Sequence, residues 1–496
     1  MNAIFYTSQK EVKFMRKTMK GAYKGFLIHP TIKHYFDGRQ MDEQQTPFSM
    51  DVIHLYKKRG LLHTMEGVSW KRRHPLQSIQ QTRFANPFDG QFICNRCENT
   101  SASQFVLYNC MKCRQVCAYC RMCIQMGRIS TCTILVTWRT PSCYTVQNRF
   151  IECKWQGNLS PLQEAAAEHV VKSYYEGASH LVHAVCGAGK TEILFPLIQA
   201  VLTNHQRLCI ASPRTDVVLE LFPRIQQAFP TASIEHLYGG HSNYEKFPSI
   251  MLTTTHQLLR FKEAFDVMII DEVDAFPYSV DTLLQKAVNK AKKKSAPCYF
   301  ITATPSPKLL QQYAKTPHYS YIPVRYHGQP VPVPTITALF RYKNQFHKGK
   351  FPKKLKRWID QKIEEETPFL LFFPTIALMK KAHNLLKNEY PSILAVYSSD
   401  AQRKEKVLML RKKEIQGLFT TTILERGITI ERLDVGVVGA EHAVFTSSAL
   451  QQIAGRVGRS ARYPNGEVLL FAHGVSLAMD GAISQIKKHN AFLRRD

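Results

Sequence analysis

The sequence predicts an α/β protein in which two tandem parallel-sheet lobes follow a small cysteine-rich module. Three observations carry this reading. From Leu159 onward, short apolar runs alternate with amphipathic helical patterns, as layered strands and helices require. The stretch from Ile322 to Pro334 contains Pro323, Pro330, Pro332 and Pro334 and divides those runs into two blocks of similar size; proline removes backbone donors, so this is a connector and not a central strand. Seven of the 13 cysteines crowd into residues 94–123, and clustered C-x2-C spacing in a long chain points to metal more than to disulfides.

Composition sets the bounds. At ~100–200 residues per domain, 496 residues suggest two to four domains. Hydrophobic residues at 44% and charged residues at 21% describe an ordinary globular chain and exclude a disordered one. Lys plus Arg number 66 against 38 Asp plus Glu, a net charge of +28. That excess favours a polyanionic partner, nucleic acid first and an anionic membrane surface second. The longest apolar runs, Val267–Ile270 and Phe369–Phe373, are strand-sized, far short of the ~18–20 residues that span a bilayer. With no charged-then-apolar leader at the N-terminus, the expected location is the cytoplasm.

Along the chain, residues 1–90 are basic and weakly periodic, with the clusters Lys57-Lys58-Arg59 and Lys71-Arg72-Arg73. Residues 91–157 hold the cysteines and a β-looking stretch, TILVTWRT. Residues 158–335 form the first block, with strands expected at 181–185, 207–212, 249–255, 266–271 and 298–304. Residues 336–496 form the second, with strands at 369–373, 393–398, 417–422, 435–440 and 467–472.

The cysteines run Cys94-x2-Cys97, Cys110-x2-Cys113, then Cys117-x2-Cys120-x2-Cys123. Each C-x2-C turn presents two thiolates to one tetrahedral Zn²⁺ at ~2.3 Å, which would stabilise a segment too short for its own core. Seven ligands exceed one site and fall short of two; Cys110 and Cys113 compete for the first, and a second site with Cys117 stays open. Cys132, Cys143, Cys153, Cys186, Cys209 and Cys298 read as small core residues. The neighbours Arg96, Lys112, Arg114, Arg121 and Arg128 favour DNA contact.

The segment Ala184-Val185-Cys186-Gly187-Ala188-Gly189-Lys190-Thr191 follows a strand and opens a helix. Its glycines let the backbone wrap closely enough for N–H groups to face phosphate oxygens; Lys190 reaches the β/γ-phosphates and Thr191 holds Mg²⁺. The buried run Val267–Ile270 delivers Asp271 and Glu272 at its carboxyl end, 81 residues after Lys190, where open α/β sheets bind ligands. Asp271 suits Mg²⁺, and Glu272 suits orientation or deprotonation of an attacking water.

These residues resemble a superfamily 2 helicase of the DEAD/DEAH-like type over about residues 159–475, which implies two RecA-like lobes. Gln163 sits where such proteins recognise adenine; Ala184–Thr191 resembles motif I; Asp271-Glu272-Val273-Asp274 resembles motif II and Thr302-Ala303-Thr304 motif III. Pro213, Arg214, Thr253 and Thr254 resemble the motifs that touch the nucleic-acid backbone, and Thr420–Gly427, with Thr421, resembles motif V. Gln452–Arg459 resembles motif VI, which implies nucleotide contact by Gln452 and catalytic arginines at Arg456 and Arg459.

A cysteine module ahead of a DEVD motor resembles the ComFA family of late competence ATPases. That resemblance implies zinc on Cys94, Cys97, Cys120 and Cys123, ATP with Mg²⁺, and translocation along single-stranded DNA during transformation. It further implies other competence proteins and the membrane uptake channel as partners, at the inner face of the membrane. The alternative is a PriA-like genome-maintenance helicase or an RNA helicase. Because the arginines lie on the second lobe, hydrolysis is expected to require lobe closure. Thr302 and Thr304 are candidates to couple nucleotide to strand. The lysine runs 290–294 and 348–357 are read as solvated helix faces.

Overall fold

The computed structural model describes residues 29–72, 90–139, 151–239, 248–426 and 429–494. Arg73, Cys143 and Gly427, singled out above, lie outside the described residues. The chain divides into two units: Met1–Lys154, Ile198–Val218 and Arg224–Cys298 in one, and Trp155–Leu197, Leu219–Pro223 and Tyr299–Asp496 in the other.

The described residues up to 139 supply seven short strands: β1 (Gln40–Asp42), β2 (Leu62–Glu66), β3 (Val68–Arg72), β4 (Gly90–Cys94), β5 (Phe105–Asn109), β6 (Val116–Cys120) and β7 (Ile134–Trp138). β7 lies between β1 and β2 in an antiparallel sheet, so the segment beyond the cysteines completes a sheet begun before them. The helices Pro30–Phe36 and Met50–Lys58 cover it, burying Phe36, Ile53 and Tyr56 with Leu62, Val136 and Trp138. β3 pairs with β4, and β5 with β6.

The motor strands are β8 (His180–Ala184), β9 (Leu208–Ser212), β10 (Ile234–Leu237), β11 (Ile250–Thr254), β12 (Val267–Asp271), β13 (Cys298–Thr302), β14 (Tyr319–Ile322), β15 (Thr335–Ala338), β16 (Phe369–Phe372), β17 (Ile393–Val396), β18 (Gly417–Thr420), β19 (Asp434–Val438) and β20 (Val468–Ala472). All ten strands expected in the two blocks form. The first unit holds the parallel order β10-β11-β9-β12. There Thr254 pairs with Ser212 and Ile270 with Ala211, so Ser212, Thr254 and Asp271 end at one carboxyl edge. The second unit holds the parallel order β13-β8-β14 and, separately, the six parallel strands β15-β20-β19-β16-β18-β17. In β16, Leu370 and Phe372 enter one apolar core while Phe369 and Leu371 enter the other. A strand buried on both faces reads as continuous apolar sequence, and that is why FLLFF carries no alternation.

Within the first unit, two buried cations join the N-terminal strands to the motor. Arg207, just before β9, donates to the Asp37 carboxylate at 2.6 Å, both side chains almost fully buried. Lys290, in the helix Thr282–Ala291, donates to the Arg96 carbonyl at 2.6 Å and to the Gln40 side chain. The solvated reading of the 290–294 run therefore fails at Lys290, whose ammonium meets carbonyl oxygens instead of water. Burial pulls its pKa down to about 8, with Glu98 opposing. Lys293 pairs with Asp266 at 2.6 Å.

Removing Asp37 leaves the Arg207 charge in a dry interior, a change that costs about 3–5 kcal/mol. Asp37→Ala is expected to lower unfolding stability by that order in denaturant titrations, with the apolar pair Asp37→Leu/Arg207→Met recovering part of it. In the second unit, buried His180 lies between Ser173 and Ser320, at 2.9 Å from each. Burial, then the nearby His318 and His169, depress its pKa to about 4. The unfolded chain, titrating near 6.5, then binds the extra proton between pH 6.5 and 4, so stability falls as pH drops through that window. His180→Gln is expected to flatten the acid limb of stability measured between pH 7 and 4.

Candidate nucleotide and metal sites

β8 ends at Ala184, and the chain turns through Gly187 (φ +84°) and Gly189 (φ +71°) into the helix Lys190–Ile193. Positive φ is costly for residues with a Cβ, so the two glycines let this loop curl until Ala188 N–H donates to the Val185 carbonyl at 3.1 Å. Lys190 and Thr191 open the helix, placing a cation and a hydroxyl beside the loop. Gln163 reaches the same loop. It sits in the first turn of the helix Pro161–Tyr175, where its Oε1 accepts from Ser160 N–H at 2.8 Å and its Nε2 donates to the Ala188 carbonyl at 2.8 Å. Its amide thus braces the phosphate loop from beneath, and a Cβ on Gly189 would lie 2.3 Å from Nε2.

In the first unit, Asp271 closes β12, and its Oδ1 accepts from Glu272 N–H at 2.9 Å. Glu272 has φ +56°, a conformation costing roughly 1–3 kcal/mol in a non-glycine residue and concentrated at functional sites. Arg214 follows β9 and caps the helix Thr215–Ala228, its N–H donating to Ser212 Oγ at 3.4 Å. Thr254 ends β11 on the same edge. Thr253 differs: fully buried, its hydroxyl donates to the Leu237 carbonyl at 3.1 Å. That hydroxyl holds β11 to β10 and faces the sheet.

In the second unit, motif VI meets the phosphate loop. Gln452 Oε1 accepts from the Cys186 thiol at 2.9 Å, and Gly455 packs so closely that a Cβ there would lie 2.3 Å from Cys186 Cβ. Arg456 is buried, with Nε donating to the Glu425 carbonyl at 2.8 Å. Arg459 is half-buried and donates to the Gly455 carbonyl and, at 3.2 Å, to Thr429 Oγ1. Thr304 shares a 2.7 Å hydroxyl contact with Ser448, and Thr304 N–H donates to Thr302 Oγ1 at 3.0 Å. Thr421 is half-buried and precedes the short turn Thr422–Leu424.

Arg325 was not foreseen from sequence. It lies in the proline-rich connector yet is almost fully buried, donating to the Gly458 carbonyl at 2.6 Å and the Val457 carbonyl at 2.8 Å. Tyr326 N–H donates to the Gly187 carbonyl at 3.0 Å, and His327 Nε2 lies 3.2 Å from the Gly458 carbonyl. Burial lowers the Arg325 pKa to about 10, with Arg459 adding to the fall and Cys186 opposing it; the guanidinium stays charged at neutral pH. The signal available in sequence was a lone arginine among prolines, which is too common to notice.

The cysteines form a compact four-thiol group. Cys94, Cys97, Cys120 and Cys123 are buried with their sulfurs all within 4.8 Å of one another. Cys94 and Cys123 lie 3.8 Å apart and Cys97 and Cys120 3.7 Å. An S–S bond needs ~2.05 Å, whereas thiolates at ~2.3 Å from a tetrahedral metal stand about 3.8 Å apart. The donor set therefore fits one metal ion. Asn99 Nδ2 donates to Cys120 Sγ at 3.6 Å. Arg96, expected to face DNA, is instead buried and donates to the carbonyls of Cys123, Met126 (2.8 Å) and Gly127 (2.6 Å), tying the two C-x2-C halves together.

Comparison with known proteins places this geometry. Residues 27–137 match the family described as the Competence protein ComFA N-terminal domain, residues 160–312 the DEAD/DEAH box helicase family, and residues 351–461 the helicase conserved C-terminal domain. The chain is 40% identical over 455 residues to Competence protein ComFA of Bacillus subtilis (strain 168), covering 90% of this chain and 97% of that protein. It is 36% identical over 409 residues to Competence protein ComFA of Streptococcus pneumoniae, covering 81% and 91%. Among solved structures, S. cerevisiae Dbp5 bound to RNA and ADP BeF3 aligns with TM-score 0.51 at 14% identity, covering 67% of this chain and 92% of that one. This likeness gives the fold, two RecA-like lobes.

The contact between Gly455 and Cys186 yields a test. A methyl at Gly455 overpacks against the phosphate loop, at about 1–3 kcal/mol. Gly455→Ala is expected to slow ATP turnover by about tenfold or more, and Cys186→Gly, which clears the space, to restore part of it in the double variant. Steady-state ATPase rates of all four proteins measure this coupling.

Proposed function

The chain belongs to the ComFA family of competence proteins, and on that premise we propose that its ATP cycle drives single-stranded DNA inward during natural transformation. It carries both helicase domains and is a nucleic-acid-dependent ATPase. The observation that carries the proposal is the pairing, in one chain, of a ComFA N-terminal domain with an intact set of helicase motifs.

In this reading the phosphate loop and Lys190 bind the triphosphate, and Glu272 orients or deprotonates the attacking water. Asp271 and Thr191 would hold Mg²⁺, which neutralises phosphate charge. Arg456 and Arg459 stabilise the charge that develops on the γ-phosphate, and Gln452 senses the nucleotide. Gln163 fixes the loop and so governs nucleotide affinity. Pro213, Arg214, Thr254 and Thr421 line the strand path, while Thr253 supports it from within the sheet. Grip is mostly to phosphates, so binding weakens with salt and tolerates any sequence. Cys94, Cys97, Cys120 and Cys123 would hold Zn²⁺, which cross-links a segment without an apolar core of its own. No helix among the described residues is long and apolar enough to cross a membrane; the protein works in the cytoplasm, at the inner face of the membrane beside the uptake channel and other competence proteins.

ATPase rates at fixed salt, with single-stranded DNA, duplex DNA and RNA, test this. Single-stranded DNA is expected to stimulate turnover most. Lys190→Ala and Glu272→Gln are each expected to reduce the stimulated rate by roughly 10²-fold or more. Equal rates with and without polynucleotide contradict translocation, and stimulation by RNA alone favours the RNA-helicase reading. In cells, Glu272→Gln is expected to abolish transformation with growth unchanged.

A further inference from the structure

We propose a second tetrathiolate zinc site, formed by Cys110, Cys113, Cys117 and Cys132, that fills independently of the first. The four sulfurs lie within 4.8 Å of one another. Cys110 and Cys132 are 3.6 Å apart and Cys113 and Cys117 3.3 Å. These separations exceed a disulfide bond and approach the tetrahedral edge of about 3.8 Å set by ~2.3 Å Zn–S bonds. Thiols this close leave room for one ion at their centre.

The backbone gives a second, independent indication. At Cys94-x2-Cys97, Glu98 N–H donates to the Cys94 carbonyl at 2.7 Å, Cys94 N–H donates to the Asn99 carbonyl at 3.0 Å, and Glu98 has φ +57°. At Cys110-x2-Cys113, Arg114 N–H donates to the Cys110 carbonyl at 2.8 Å, Cys110 N–H donates to the Gln115 carbonyl at 2.9 Å, and Arg114 has φ +56°. The same knuckle thus occurs twice, each time with a non-glycine residue held at positive φ to aim two thiols at one point.

Strand geometry sorts the remaining ligands. Cys117 and Cys120 lie three apart on β6 and so point to opposite faces. Cys120 joins the first group and Cys117 the second. The chain then turns back: Tyr119 bridges antiparallel to Ser130, Cys120 N–H donates to the Ile129 carbonyl and Thr131 N–H to the Ala118 carbonyl. Continuing that register sets Cys132 opposite Cys117. Cys132 belongs to no C-x2-C pair, so spacing alone could not reveal it; the fold supplies the eighth ligand to seven clustered cysteines. Ligands of the two sites interleave along the chain, and the second ion would pin the tip of the β5–β6 hairpin to the segment entering β7. Lys112 lies within the knuckle, Arg114 follows it and Arg128 stacks 4.7 Å over Tyr108, cations that suit the net negative charge of a four-thiolate zinc centre.

The test is metal stoichiometry of the full-length protein, purified with zinc, by native mass spectrometry. Two zinc ions per chain are expected in the wild type and in the control Cys153→Ser, and one in Cys132→Ser, in Cys113→Ser and in Cys94→Ser. Cadmium-exchanged wild type should give two ¹¹³Cd resonances in the all-thiolate region, one of which Cys132→Ser removes. If the variants fail to fold, alkylation of the wild type decides: Cys113 and Cys132, both half-buried, resist iodoacetamide when zinc is bound and react after chelation. A single zinc per wild-type chain, or Cys113 and Cys132 reacting fully in the zinc-loaded protein, overturns the proposal while leaving the motor reading untouched.

Discussion

A guanidinium buried in a protein must find oxygen for its protons, and Arg325 finds it on two backbone carbonyls of motif VI, those of Val457 and Gly458. Much else in the second unit follows from that demand. Gly458 has φ +67°, and a Cβ there would lie 1.9 Å from the Pro464 carbonyl, so only glycine bends the chain to present those carbonyls. The residue after Arg325 is bound to the Gly187 carbonyl of the phosphate loop. One short connector therefore ties the loop through Gly187 to the segment that carries Arg456 and Arg459. In the proposed cycle this tie would couple the two, as a nucleotide-driven motor needs.

The N-terminal strands and the cysteine knuckle obey a related rule in the first unit. Arg207 and Lys290 belong to motor elements but discharge their hydrogen bonds on Asp37, Gln40 and the Arg96 carbonyl. Arg96 in turn spans the knuckle to the carbonyls of Cys123, Met126 and Gly127. A continuous polar path therefore runs from the four-thiol group to the helix that follows β12. Because each link is buried, its loss exposes unmet charge or unmet carbonyls in the interior, which is expensive. The knuckle is part of the motor's framework, not a loosely tethered reader.

The motor was legible because its central strands are buried on both faces and therefore read as unbroken apolar runs, with glycine- and carboxylate-bearing turns at their ends; the half-buried edge strands β10, β14 and β15 gave no such run. Of the N-terminal sheet only the β-looking TILVTWRT showed, as β7; its pairing with β1 and β2 was hidden because those contacts are distant in sequence. Lys290 and Arg96 were misread for one reason: a basic residue looks solvated until the fold shows carbonyls waiting for it. Gln163 was recognised by position, yet its amide is engaged by Ser160 and Ala188, a use that depends on the loop's curl. Cys132 and Arg325 carry no motif, and only the strand register and the connector's path give them neighbours.

In the proposed cycle the phosphate loop and the arginines of motif VI grip the nucleotide jointly. The decisive measurement is an experimental structure of the full chain with a nonhydrolysable ATP analogue, Mg²⁺ and a single-stranded oligodeoxynucleotide. Joint grip requires Lys190 on the β/γ-phosphates with the Arg456 or Arg459 guanidinium within hydrogen-bonding distance of the γ-phosphate. A fully occupied nucleotide with both arginines remote from it, DNA bound, would rule out joint grip.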